Sequence, residues 1–165
     1  MAPDTVSNLW DFSLALYARA DVADACVRLQ DEHGVNVNLL LWCIWLEQQG
    51  IVLDTARLHT AQKRIHAWDE HYVIPLRQLR RRMKAEFGVN DDTIEGVRSQ
   101  IKQAELLAEK QLQLWLEAVT HTWDEANVAD TYAAVGGNIR FYLEQLNIIE
   151  TDIVPLLDML NRPLD

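Results

Sequence analysis

Residues Leu39–Leu46 form an unbroken run of apolar side chains in a chain whose other apolar residues recur at helical spacing. Asn36 before the run and Gly50 after it supply a helix start and a helix stop. A helix apolar on every face has to be covered on every face, so this segment predicts a buried central helix with others around it. The run is less than half the length of a membrane span.

The flanking patterns supply those neighbours. Ser7 is placed to cap a first helix carrying Trp10, Leu14 and Tyr17 at steps of four and three. Asp21 is placed to cap a second, with Val22, Ala25, Cys26 and Leu29 on one face and Gly34 as its stop. Asp54 or Thr55 opens the next, which continues through Leu58, Ile65, Trp68, Tyr72, Leu76, Leu79 and Met83 to Gly88. Pro75 lies inside that pattern and predicts a kink or break near Val73–Pro75. Asn90 or Asp91 caps a helix carrying Ile94, Val97, Ile101, Ala104, Ala108, Leu112, Trp115 and Val119. After Gly136–Gly137, a last helix is expected to carry Ile139, Leu143, Leu146, Ile149, Ile153, Leu156 and Leu160, bent at Pro155. The 165 residues suit one domain, and no Gly/Ser-rich linker divides them. The reading is therefore all-α: one bundle of five to seven helices over 1–165, with a Pro-kinked basic helix.

Charge is unevenly spread. Residues 1–56 carry a net −6, residues 57–84 a net +6 and residues 85–165 a net −10. The basic excess is densest at Arg77, Arg80, Arg81, Arg82 and Lys84, and four of these (Arg77, Arg80, Arg81 and Lys84) share one broad helix face. Two readings suit that face: arginines paired with carboxylates of neighbouring helices, or a site for an anion or an acidic partner. The chain's net charge of −10 disfavours nucleic acid.

No pattern specific to a catalytic or metal centre stands out. No Glu is followed by His three residues on, and neither a zinc-protease pattern, a P-loop nor a nucleophile elbow occurs. His59 with His66, and Glu117 with His121 and Asp124 or Glu125, fall at helical spacing but read as surface or half-buried residues. Asp91-Asp92-Thr93-Ile94-Glu95 has the look of a magnesium–diphosphate motif, yet it opens a helix, where carboxylates answer the helix dipole. His66-Ala67-Trp68-Asp69-Glu70 is echoed at His121–Glu125 without matching flanks. Cys26 and Cys43 read as reduced core cysteines, spacing alone leaving a single bridge open, and the first residues lack a basic n-region and an apolar h-region, so a cytoplasmic location is expected. Trp42, Trp45, Trp68 and Trp115 suit a Trp-rich core or, alternatively, an interface.

Two stretches resemble a small proteobacterial family of unknown function. Leu29-Gln30-Asp31 through Gly34 to Val37-Asn38-Leu39-Leu40-Leu41 is similar to its LQD-x-x-G-x-DVNLLL signature, with Asn36 where the family pattern has Asp. Trp68, Val73, Pro75-Leu76-Arg77, Arg80-Arg81 and Met83-Lys84 resemble its second block, so the likeness covers 10–84 and leaves the acidic half, 85–165, outside. It implies a cytoplasmic bacterial protein and carries no activity with it.

Gln30, Asp31, Asn36 and Asn38 are polar groups among apolar neighbours, and buried polar groups need partners. They are expected to tie the second and third helices to the Pro-Leu-Arg segment, with Asp31 or Glu32 meeting Arg77 or Arg81. The sequence favours a non-enzymatic regulatory or adaptor protein that binds another protein through Trp68, Arg77, Arg80, Arg81 and Lys84, and a homodimer is a further option. The alternative is an enzyme or small-ligand binder that grips a phosphate or carboxylate with Arg77, Arg81 and the Gln30/Asp31/Asn36/Asn38 cluster. No catalytic residue, metal ligand or cofactor is assigned.

Overall fold

The computed structural model describes residues 7–123 and 137–160. The helices are α1 (Leu9–Tyr17), α2 (Ala20–His33), α3 (Val37–Gln48), α4 (Thr55–Trp68), α5 (Ile74–Phe87), α6 (Asp92–Thr120), α7 (Gly137–Gln145) and α8 (Glu150–Leu160). A π-helical turn, Asp69–Val73, joins α4 to α5 without a break. Counting that continuous rod as one, the described residues make an all-α bundle of seven helices.

The central helix is α3. Every side chain from Asn38 to Leu46 is buried, and α1, α2, α6 and α7 pack around them. Its tryptophans satisfy their N–H groups: Trp42 Nε1 donates to Thr120 Oγ1 at 2.9 Å and Trp45 Nε1 to the Ser7 carbonyl at 2.9 Å. Cys26 and Cys43 are free and buried.

The caps follow the local chemistry. Asn36 Oδ1 accepts from Leu39 N, Asp54 from Arg57 N, and Asp91 from Thr93 N and Ile94 N. The Asp91–Glu95 run is thus a helix start, and Glu95 pairs with Arg98. Gly34 closes α2 with a φ of 67°, a left-handed conformation that costs glycine little. Two caps differ from the sequence reading. Asn8, not Ser7, caps α1, and α2 begins one residue before Asp21, with Arg19 at its N-cap.

Pro75 produces neither a break nor a free end. It has no N–H, and its ring crowds the carbonyl four residues back. The helix answers by widening: Ile74 N–H reaches the Asp69 carbonyl, five residues back, and α5 continues. The single last helix expected over 139–160 is two helices. Asn147 takes a φ of 58° and Ile148 N–H returns to Leu143 O, which ends α7 before α8 begins. Pro155 lies inside α8. Gly136, Asp124 and Glu125 fall outside the described residues.

No helix among the described residues is long and apolar enough to cross a membrane, and no group of His, Cys, Asp or Glu among them is arranged to hold a metal ion.

Candidate functional site

Two helices set up the site. At 29 residues, α6 is about 43 Å long; none of its residues before Glu105 is buried, and Arg98 Nε there donates to the Arg80 carbonyl of α5 at 3.4 Å. No residue of α5 is buried. The first helix packs on α6, with Leu9 N donating to Glu117 Oε2 at 3.1 Å.

The sequence placed Trp10, Leu14 and Tyr17 on one stripe of α1. In the structure the core face of α1 is Leu9, Ser13 and Leu16, while Trp10, Leu14 and Tyr17 line a cavity of about 260 Å³. That cavity lies between α1, α2, α3, α5 and α6. The rest of its apolar wall comes from Val27, Val37, Leu41 and Leu106, and its polar wall from Gln30, Asn38, Glu105, Glu109 and Gln113. Arg77, Arg80, Arg81 and Lys102 bring four cations to two carboxylates in the lining.

The two carboxylates are held tightly. Glu105 is 5% exposed and takes Arg80 through two hydrogen bonds, Nε to Oε2 at 2.6 Å and NH2 to Oε1 at 3.1 Å. Arg77 Nε reaches the same carboxylate at 3.3 Å, and its NH2 bonds Glu109 Oε1 at 2.9 Å. Such charge-assisted bonds are strong and hold both carboxylates in place. Burial pushes the Glu109 carboxyl above its ordinary value and Glu105 reinforces the push, while the Arg77 guanidinium and an Asn38 hydrogen bond oppose it. The hydrogen bond to Glu105 holds the Arg80 guanidinium above its usual range.

Gln30 turns its amide oxygen to Arg77 and accepts from NH2 at 3.2 Å and from NH1, an orientation assigned from these donors. Arg81 NH1 meets Asp31 Oδ1 at 2.8 Å, the α2–α5 tie expected from the sequence. Asn38 Oδ1 accepts from Gln113 Nε2 at 2.9 Å. Ser13 Oγ and Gln113 Oε1 are buried without a hydrogen-bond partner, and both side chains belong to the cavity wall.

A second cavity of about 260 Å³ adjoins the first, sharing Gln30, Val37, Arg77 and Arg81 with it. Asn36 and Asp69 lie on its wall, and Asn36 Nδ2 donates to Asp69 Oδ2 at 3.1 Å. Burial raises the Asp69 carboxyl against the pull of Arg77 and His66.

The structure therefore brings together Gln30, Asp31, Asn38, Arg77, Arg80 and Arg81, with Asn36 next door. Trp68 and Lys84 line neither cavity. Trp68 donates Nε1 to the Ala108 carbonyl at 2.9 Å and stands edge-on to Trp115 at 5.3 Å, while Lys84 is exposed near the end of α5. Sequence reasoning missed Ser13, Lys102, Glu105, Glu109 and Gln113. The last four lie at steps of three and four on one helix, a polar stripe beside the apolar one of Ala108, Leu112 and Leu116.

A helical bundle with a cation-rich cleft beside its central helix defines the class of protein. Within that class, the chain belongs to DUF2390, a family of proteins of unknown function whose pattern matches residues 8–116. The matched span holds every residue of the cleft. No curated protein and no solved structure matches the chain.

Proposed function

We propose that the chain is a non-enzymatic binding protein whose cleft takes a small organic anion, carboxylate or phosphate. One observation carries the reading. The cleft wall presents more cations than carboxylates together with two buried oxygens that lack partners, Ser13 Oγ and Gln113 Oε1. A buried polar atom without a partner costs about 1–3 kcal/mol, a debt a bound polar molecule can cancel. The apolar side chains of Trp10, Leu14, Tyr17 and Leu106 would cover the rest of such a molecule. Both carboxylates of the cleft are engaged by arginines, which suits binding better than general-base chemistry.

The experiment is a thermal-shift screen of the purified protein against small carboxylates and phosphates. A ligand that binds only the folded state raises Tm with its concentration. A concentration-dependent rise for an acid, absent for its methyl ester, is the expected result. No shift for any acid sinks the reading.

A protein partner is the second reading, and the outer face of α5 favours it. Arg82 and Lys84 are exposed there, and Phe87 and Val89 at its tip are 51% and 54% exposed. This surface is the part of the basic segment that internal pairing leaves over. A pull-down from nuclease-treated lysate with the Arg82→Glu/Lys84→Glu variant beside wild type tests it. A near-stoichiometric partner, or a second copy of the chain, lost in the variant is the expected result, and recovery of bait alone contradicts it.

A further inference from the structure

Hydrogen bonds in the cleft wall run in one direction. Glu109 accepts from Arg77 NH2 at 2.9 Å, and the Asn38 side-chain amide favours the charged form of that carboxyl. Asn38 therefore presents its oxygen to Gln113, whose Nε2 donates to it at 2.9 Å. That leaves the Gln113 oxygen at the open end of the chain, an atom that can only accept. Its own orientation is not free: rotating the amide would set Oε1 against Asn38 Oδ1, two acceptors face to face.

The other orphan is of a different kind. The Ser13 hydroxyl can donate as well as accept, and it lies on the buried face of α1, in the lining of the same cavity as Gln113. Ser13 and Gln113 are 3% and 1% exposed, whereas Lys102, Tyr17 and Arg81 of the same cavity are exposed. The cleft thus has a closed polar end and an open cationic end. Eleven residues of α6 separate Lys102 from Gln113, about 16 Å of helix, and Glu105 with its Arg80 clasp lies about 12 Å from Gln113.

We infer that the cleft selects an elongated acid whose far end carries a hydroxyl group, a reading that deepens the anion-binding function and rests on it. A hydroxyl, which donates and accepts through one small neutral atom, answers both orphans. It accepts from Ser13 Oγ–H and donates to Gln113 Oε1, which extends the chain already ending on Glu109. An ammonium in the same place would keep one N–H group and a full charge without partners. A methyl would leave both oxygens as they are. The acid stands at the open end, by Arg80, Arg81 and Lys102, and the apolar wall covers the methylenes between.

Calorimetric titration with ω-hydroxydecanoate and with decanoate tests this, since an extended chain of that length spans the two ends. Burial of apolar surface alone favours decanoate, whose terminal methyl has the lower cost of leaving water. The cleft is expected to reverse that order, with the hydroxy acid binding about fivefold more tightly, the worth of a net hydrogen bond or two. Ser13→Ala removes one orphan and leaves the fold intact, and in it the preference should fall to about twofold or less. Equal binding of the two acids, or a preference unchanged in Ser13→Ala, overturns the hydroxyl inference while leaving the anion site standing. Binding of neither acid overturns the anion site itself.

Discussion

Arg80 clasps the buried carboxylate of Glu105 at 2.6 Å and 3.1 Å, and Arg77 shares that carboxylate from the same helix at 3.3 Å. The densest basic segment of the sequence is thereby turned inward along half its length, and the α5–α6 hairpin is fastened by charge rather than by core burial. Removing one partner leaves an underpaired buried ion, which is more costly than never having built the pair. Arg80→Ala is expected to lower unfolding free energy by about 2–4 kcal/mol in urea titration, Arg77 keeping the loss from being larger. Arg82→Ala and Lys84→Ala, on the exposed side, should change it by less than about 0.5 kcal/mol.

The same cluster sets a pH dependence. Burial raises the Glu109 carboxyl in the folded state, so the folded protein holds that proton more tightly than the unfolded chain does. The stability from this group is therefore fully present below the unfolded value and is lost as pH rises through the folded one. The window opens upward from 4.5, the ordinary value for the group. The stability of wild type minus that of Glu109→Gln should fall with rising pH across this window, as read by unfolding at a series of pH values. A difference that grows with pH contradicts the account.

How far the sequence reaches is clearest at α3 and α1. The central helix, with its Asn36 cap and its all-round burial, was legible because an apolar helix has one place to go. The Trp10–Leu14–Tyr17 stripe was legible as a stripe, but its destination was not. Periodicity says that a face is apolar, and here that face lines a cleft while Leu9 and Leu16 take the core. Arg77, Arg80 and Arg81 were visible as a basic face, and Asp31 as a partner for it, yet Glu105 and Glu109 were not. Spacing shows that α6 carries a polar stripe, but not which charged face of another helix that stripe meets.

Asn138 shows the same limit. It sits just after the Gly136–Gly137 interruption with no periodic signal, yet it is 1% exposed and joins α7 to the α3–α4 connection. Its Oδ1 accepts from Leu53 N at 2.9 Å, its Nδ2 donates to Ile51 O at 2.7 Å, and its own N–H meets Glu47 Oε1 at 2.7 Å. Asn138→Ala strands a buried N–H and a carbonyl, and should cost about 2–4 kcal/mol in the same urea titration. A loss below about 1 kcal/mol would mean that the junction is not closed by this side chain.

Both cysteines are expected to be inert in the folded protein. Burial pushes the Cys26 thiol up to about 12 and raises Cys43 as well, so neither offers a thiolate near neutral pH. With an aromatic disulfide reagent at pH 8, native protein should release almost no colour and denatured protein two equivalents. Prompt labelling of the native state contradicts the burial of these helices.

The central claim is that the α1–α6 cleft is a binding site. Its most direct test is an NMR titration of isotopically labelled protein with ω-hydroxydecanoate, following backbone amides and the side-chain amides of Asn and Gln. The account predicts saturable shifts at the Gln113 and Asn38 side chains and at Ser13, Tyr17 and Lys102, with the tip at Phe87 and Val89 unmoved. Shifts confined to that tip, or none at saturating acid, would contradict it.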